Sequence, residues 1–390
     1  MNFSLNINLI SIILLSLSAV TAAIYCIWQW QRTRTLKRHL TQSEHSREYA
    51  DPLPPVSIIV DACGETDQLE RFLPLVLEQD YPQFEVIVIV NGEAESTRDL
   101  LSGMKTKYDN LHLSFAPYDL QALSRKKLAV MIGIKAARYD IVLTTCANCR
   151  PRNEHWVSTI ARNFVDGTDI VLGYSHYRYG RDKHAGRRRR VFDTVSTGTQ
   201  WLVSAIKGHP YRGTSDNLAY RKQLFFDNRG FARSMDLQWG EDDVFVSEIA
   251  RPDNTRVEIA ADSQVSVYYE DLPRIHRLLK IRRGFTSRRV RRAPFRVQAL
   301  MSVVWWLSLL SAVAAVALEP LNGIVVLAAV LTVVASWVLM ASAVSGACRL
   351  LQAPRLRFSA PLLALWRPLS NIVFRIVEGK NNKEQYTSYI

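Results

Sequence analysis

Apolar residues crowd the two ends of this chain and charges crowd its middle, and that segregation limits what it can fold into. From Ile7 to Trp30 the chain is almost free of charge, long enough to cross a hydrocarbon core about 30 Å thick. Two further runs, 297–318 and 321–347, lie near the C-terminus and predict a second and a third span. The overall composition, 48% hydrophobic and 22% charged, averages over this division and hides it.

Basic residues orient the spans. None precedes the first run, whereas Arg32, Arg34, Lys37 and Arg38 follow it. Lysine and arginine stay on the cytoplasmic side, so the run is expected to be a retained anchor rather than a cleaved signal, with its N-terminus outside. Arg288 to Arg296 and Arg349 to Arg357 flank the outer ends of the other two runs, and Glu319, Pro320 and Asn322 form an external turn between them. The expected organisation is an anchor over 7–30, a basic cytoplasmic linker over 31–53 and a soluble domain over 54–271. A basic amphipathic segment (272–296), spans at 297–318 and 321–347, and a cytoplasmic tail (348–390) complete it. Phe358 to Val377 is apolar but broken by Pro361, Arg367 and Pro368, which reads as interfacial rather than spanning.

A formal charge of +13 calls for a polyanionic partner: anionic lipid, nucleic acid or a phosphorylated substrate. The segment before the second span interleaves its basic residues with Ile275, Leu278, Leu279, Ile281 and Phe285. A segment about to enter a bilayer meets headgroups, which favours membrane lipids and excludes nucleic acid. Cys26, Cys63, Cys146, Cys149 and Cys348 are too scattered for a disulfide framework, in keeping with a reducing compartment. Cys146 and Cys149 form a lone C-x-x-C; a zinc site needs a second pair or histidines at matching spacing, and neither is evident, so no metal is assigned.

Between Pro54 and Asp271 the periodicity changes. Val56 to Val60 and Phe84 to Val90 are continuous apolar runs of the kind buried on both faces of a parallel sheet. Leu111 to Phe115 and Asp140 to Thr144 read as further strands, and Leu69 to Leu77, Thr97 to Lys107 and Arg125 to Arg138 as helices. Such alternation predicts an α/β domain with a mostly parallel sheet flanked by helices. Ligands bind such sheets at the carboxyl ends of their strands, which directs attention to 61–65, 91–95 and 145–149.

The segments "PPVSIIVDACGE", "FLPLVLEQDYPQFEVIVIVNGEAEST", "KKLAVMIGIKAARYDIVLTTCANCRP", "DIVLGYSHY", "GTSDNLAYRK" and "WGEDDVFV" follow one another in the order found in family 2 glycosyltransferases. The chain resembles that family from about Pro54 to Thr286. The resemblance implies a GT-A fold, a Rossmann-like domain that takes a sugar from a nucleotide-diphosphate sugar and passes it to an acceptor hydroxyl. Negative charge growing on the departing diphosphate must be stabilised, and the attacking hydroxyl must give up a proton. By the resemblance, Glu241 and Asp242 form the E-D motif with Asp242 as base, and Asp243 is able to share the role. The alternative is a solvated acidic turn capping a helix. Asn217 and Arg221 correspond to acceptor-side elements. Ala62, Glu65, Asn91, Lys126, Lys127, Cys146, Asn148, Arg282 and Arg283 correspond to the nucleotide-sugar site.

The pattern departs from the family where charge matters most. The D-x-D position, whose carboxylates hold magnesium or manganese in the family, reads Cys146-Ala147-Asn148. Hard cations prefer oxygen ligands and usually take carboxylates, so metal dependence is left open. Asn91 stands where an aspartate is usual, and the first loop reads Ala62-Cys63-Gly64-Glu65. Two explanations compete. In one, Lys126, Lys127, Arg221, Arg282 and Arg283 replace the metal charge in a working transferase, since arginine binds phosphate oxygens bidentately. In the other, the chain is a silent paralogue that serves a partner transferase or binds a polysaccharide intermediate. A nicotinamide enzyme is excluded, because Gly64 stands alone where G-x-G-x-x-G would be required. The topology suggests a lipid-linked or polysaccharide acceptor at the cytoplasmic face of a bacterial inner membrane.

Overall fold

The computed structural model describes residues 7–62, 66–90, 95–116, 124–178, 186–235, 237 and 239–380, with side chains to 376. In chain order the elements begin with α1 (Leu9–His45), β1 (Val56–Ala62), α2 (Thr66–Leu77), β2 (Phe84–Val90), α3 (Glu95–Lys105) and β3 (Leu111–Phe115). They continue through α4 (Arg125–Ala136), β4 (Ile141–Cys146), β5 (Cys149–Pro151), α5 (Trp156–Ala161), β6 (Ile170–Leu172) and β7 (Ser175–Tyr177). Next come α6 (Arg187–Ile206), β8 (Leu218–Arg221), α7 (Lys222–Asp227), α8 (Asp243–Ile249), β9 (Thr255–Val257) and β10 (Val265–Val267). Four helices close the chain: α9 (Leu272–Thr286), α10 (Ala293–Leu318), α11 (Gly323–Leu350) and α12 (Ala360–Lys380). The first four strands coincide with the four expected from apolar runs, to within two residues at their ends.

The chain divides into two compact units. One holds the described residues of His39–Asp182 and Trp201–Arg291 and is the α/β unit. Its main sheet has seven strands in the order β3-β2-β1-β4-β8-β6-β9. Strands β1 to β4 run parallel, with Val56 beside Phe84 and Ile141, while β8 is antiparallel to both β4 and β6. Burial on both faces explains the unbroken β-branched runs, since Ile58, Val86, Val88 and Val142 are all fully enclosed. A second sheet, β5-β10-β7, starts at the two-residue turn that follows β4. Helix α4 lies so close to the main sheet that a Cβ at Gly133 would fall 2.5 Å from Ile59 Cγ2, which leaves room only for glycine. Because β1 is flanked by β2 on one side and β4 on the other, the order reverses there. In open α/β sheets, ligands bind outside the carboxyl ends of the strands at such a reversal.

The other unit comprises the described residues of Met1–Arg38, Lys183–Gln200 and Arg292–Arg375 and is helical. Helices α1, α10 and α11 are long and apolar enough to cross a membrane. Leu9, Ile13, Val303, Leu310, Leu331 and Leu339 face outward, as lipid-facing residues do. Inside the unit, small polar side chains join the helices. Ser18 Oγ donates to the Ser308 carbonyl at 2.8 Å, Thr33 Oγ1 to that of Ala343 at 3.0 Å, and Tyr25 stacks on Trp305. Hydrogen bonding and close approach of this kind hold helices together where no hydrophobic drive separates them from lipid. The Asn8 amide donates to Glu319 at 2.8 Å, so the start of α1 and the α10–α11 turn share one end of the unit. That agrees with an N-terminus and a turn on the same side of a membrane.

One stretch differs from expectation, and the structure gives the tail a definite form. The segment expected as a linker from residue 31 continues α1 as far as His45, because it contains neither proline nor glycine and its side chains favour helix. The tail forms α12, with Pro368 inside it, and α12 is not among the helices apolar and long enough to span. Its Leu362, Trp366, Leu369 and Ile372 are exposed, and Arg367 Nε donates to Asp193 Oδ1 at 3.0 Å within the same unit.

Candidate active site

The carboxyl end of β4 is where the chemistry collects. Cys146 ends that strand beside Asp61 of β1, and the Ala147 amide donates to the Asp61 carbonyl at 3.0 Å. Because β8 runs antiparallel to β4, the residues that lead into β8 return to the same end and set Asp216 against Cys146, Oδ1 to Sγ 3.6 Å. Helix α4 points its first turn there: Ser124 caps it, and Lys126 Nζ lies 3.6 Å from Cys146 Sγ and 3.9 Å from Glu241 Oε1.

Glu241 and Asp242 arrive on the turn before α8. That turn needs Gly240, whose φ of +112° is foreign to other residues and whose Cβ would meet Val244 Cγ2 at 2.8 Å. Asp242 caps α8 through its bond from the Asp243 amide at 2.6 Å. From α9, Arg282 Nη2 donates to Glu241 Oε1 at 2.8 Å and to Asp242 Oδ1 at 2.7 Å. The Ser215 amide reaches Asp242 Oδ2 at 3.4 Å. Asp243 uses both oxygens within the fold, Oδ1 accepting from the Val244 amide at 2.9 Å and Oδ2 from the Thr286 hydroxyl at 2.5 Å.

Electrostatics separates the adjacent aspartates. Burial alone would raise Asp242, but the charges of Arg282, Arg212 and Lys126 outweigh it and bring its carboxyl down to about 2. Asp243 is pushed up to about 6 by burial and by the neighbouring Asp242 charge. Burial works against the Lys126 ammonium, yet Cys146, Glu241, Asp216 and Asp61 around it hold its pKa well above the usual lysine value. Arg282 is held charged in the same way, by Asp242, Glu241 and Asp243 against burial. Asp242 therefore stays ionised from neutral pH down to strongly acidic conditions, whereas Asp243 takes up a proton as pH falls through about 6.

The residues expected at the site divide. Glu241, Asp242, Asp243, Lys126, Cys146 and Arg282 come together. Arg283 stands near enough to the buried Tyr177 phenol for its charge to be felt there. Lys127 does not join them: it is fully buried, and its ammonium donates to the carbonyls of Ser234 and Leu237. Alternate residues at a helix start face different ways, so of the two lysines only Lys126 meets the cluster. Arg221 lies at the far end of the sheet, where it pairs with Asp140 and Asp169. Asn217 is buried and binds the Trp156 indole and the Tyr174 and Ser263 carbonyls, which joins β8 to its surroundings. Ala62 is buried in the sheet core, and Asn148 donates its amide to the Tyr268 carbonyl at 3.1 Å. Glu65 and Asn91 lie outside the described residues. Asp216 went unrecognised in the sequence, although it sits within the motif "GTSDNLAYRK", two residues before β8.

Magnesium or manganese, which the family resemblance implies, does not fit the donor set at the end of β4. Cys146 and Cys149 supply sulfur where hard cations want oxygen, the Asn148 side-chain oxygen accepts from the Cys149 thiol at 3.7 Å, and among the described residues the carboxylate grouped with both sulfurs is that of Asp216. No step of the chemistry below is routed through such an ion.

Comparison with known proteins places these features in a family. The glycosyl transferase family 21 profile matches residues 11–376. A stretch of 148 residues is 28% identical to "Glycosyltransferase AglE" of Haloferax volcanii, covering 37% of this chain and 46% of that protein. Another, of 93 residues, is 32% identical to a poly-beta-1,6-N-acetyl-D-glucosamine synthase of Staphylococcus aureus, covering 24% of this chain and 21% of the synthase. The chain thus matches less than half the length of these relatives. Among solved structures, the mannosyltransferase PcManGT of Pyrobaculum calidifontis, in complex with GDP-Man and Mn2+, is similar with a TM-score of 0.56 and 17% identity. The similarity covers 93% of this chain and 99% of that one, and at this identity it speaks for the GT-A fold alone. The expectation of a GT-A glycosyltransferase read from the motifs holds, with the family number now given by a match along nearly the whole length: the chain belongs to glycosyl transferase family 21.

Proposed function

We propose that this chain transfers a sugar from a nucleoside-diphosphate donor to a lipid-linked or polysaccharide acceptor, working at the cytoplasmic face of the bacterial inner membrane. The observation that carries the reading is the buried cluster at the end of β4, in which Arg282 bridges Glu241 and Asp242 while Lys126 stands beside Glu241. Buried groups with strongly perturbed proton affinity cluster at functional sites, and α/β sheets bind ligands at a strand-order reversal.

Asp242 serves as general base. It is ionised at neutral pH, and while Arg282 is bonded to it its affinity for a proton is low. A donor diphosphate attracts Arg282 bidentately, as guanidinium groups bind phosphate oxygens. Drawn toward the diphosphate, Arg282 stabilises the leaving group and at the same time loosens its hold on Asp242, which raises the basicity of that carboxylate as the acceptor hydroxyl arrives. Lys126 supplies a second positive charge to the diphosphate from the start of α4. Asp243, with both oxygens bonded, keeps the turn in place rather than taking the proton. The basic residues of α9, among them Arg274, Arg277 and Lys280, suit contact with anionic headgroups, which favours a lipid-linked substrate.

Calorimetry of the detergent-solubilised chain with UDP- and GDP-sugars, with and without manganese, tests the reading. Metal-independent binding that Arg282→Ala abolishes is the expected result. Failure to bind any nucleotide sugar overturns it and favours a silent paralogue that supports a partner transferase.

A further inference from the structure

Cys146, Cys149 and Asp216 hold a donor set that sugar transfer as described above leaves unused. Their ligand atoms all lie within 4.8 Å of one another. A tetrahedral zinc ion with Zn–S bonds of about 2.3 Å and Zn–O bonds of about 2.0 Å separates its sulfur and oxygen ligands by about 3.5 Å. The Cys146 Sγ to Asp216 Oδ1 distance is 3.6 Å.

We propose that Cys146, Cys149 and Asp216 form a three-ligand binding site for zinc, a thiolate centre standing where hard-cation carboxylates would otherwise be expected.

Four observations beyond proximity support it. The two cysteines bracket a turn fixed from both sides, by the Ala147 amide on Asp61 and by a reciprocal pair of bonds between Asn148 and the Tyr268 backbone. The sulfurs are thus preorganised rather than free to splay apart. Asp216 is oriented by its other oxygen, since Ser175 Oγ donates to Oδ2 at 3.1 Å and leaves Oδ1 toward Cys146, the role that outer-shell bonds play at metal centres. Access exists, because Cys149 is buried but Cys146 and Asp216 are only half-buried. The charges also balance. Two thiolates and one carboxylate carry three negative charges, zinc leaves one, and the Lys126 ammonium 3.6 Å from Cys146 offsets that one. Binding forms two Zn–S bonds and one Zn–O bond and releases the two thiol protons to solvent. Three protein ligands leave a fourth position open for water or a phosphate oxygen, as zinc sites that take part in chemistry do.

The site stands whether or not the chain transfers a sugar, and so does its test. The full-length protein, purified in detergent, reduced and stripped with chelator, is titrated with Co2+ and followed by absorption. A sulfur-to-cobalt charge-transfer band with the visible bands of tetrahedral cobalt is expected, saturating at one ion per chain and bleached by equimolar Zn2+ but not by excess Mn2+. The band should vanish in Cys146→Ser and Cys149→Ser, and Asp216→Asn should weaken Co2+ binding about tenfold or more. Circular dichroism reports whether each variant is folded. A folded wild-type chain that shows no band overturns the proposal, as does a band that survives in the Cys146→Ser/Cys149→Ser double variant or that Mn2+ displaces as readily as Zn2+.

Discussion

At one end of the β4–β8 pair, Arg221 meets Asp140 at 3.0 Å and Asp169 at 3.6 Å, with about half of the Asp140 side chain exposed. At the other end, Arg282 meets Glu241 and Asp242 at 2.8 and 2.7 Å, with carboxylates only 1% and 8% exposed. Each is an arginine set between two carboxylates, but the surroundings differ. Water screens the first group, so its charges contribute little. The second lies in a low-dielectric crevice, where two neighbouring aspartates are driven apart in proton affinity. Only the crevice end has the imbalance that a charged substrate can relieve. The comparison teaches that burial, not pairing, distinguishes the end of the sheet proposed to carry the chemistry.

Four measurements break or sharpen that contrast. Asp242→Asn removes the proton acceptor while keeping its shape, and the transfer rate should fall by about 10²- to 10⁴-fold with the fold intact. A variant with full turnover removes the base assignment. Arg282→Ala strands two buried carboxylates, and chemical denaturation should show a loss of about 3–5 kcal/mol, with Arg282→Lys recovering part of it. An unchanged stability would make the crevice as tolerant as the surface.

The third measurement is a pH series. The Asp243 carboxyl is raised, so the folded state holds its proton more tightly than the unfolded chain does. Its contribution is complete below the unfolded value of 3.8 and is lost as pH rises through about 6. The Asp242 carboxyl is lowered, so its contribution is complete above 3.8 and is lost as pH falls through about 2. Thermal stability should therefore decline between about pH 4 and 6, and Asp243→Asn should flatten that decline. A slope that persists in the variant places its origin elsewhere. The smallest effect belongs to Arg221→Ala, for which about 1 kcal/mol or less is expected and no change in nucleotide-sugar binding. A loss of binding in that variant would erase the difference between the two ends.

Much of this was visible in the residues. The runs Val56–Val60 and Phe84–Val90 had to be strands buried on both sides, and the "GEDD" turn sets Glu241 and Asp242 against Arg282. Lys126 and Lys127 could not be told apart, because which one faces the crevice depends on how α4 is rotated against the sheet. Arg221 was misplaced for a similar reason: its strand runs antiparallel, so its "GTSD" end rather than its "YRK" end reaches the crevice. The same reversal brings Asp216 to Cys146, across a separation of 70 residues. The lone C-x-x-C looked incomplete only because its third ligand arrives on that returning strand.

Composition and periodicity alone therefore determined the three apolar helices and the mostly parallel α/β core, since those depend on local patterns of burial and charge, while the glycosyltransferase character came from the resemblance of the ordered motifs to a known family. Which lysine serves the site, how the aspartates divide the proton and which acid completes the sulfur pair depended on strand direction and helix rotation. These are set by long-range packing, which brings side chains within a few ångströms irrespective of their distance along the chain.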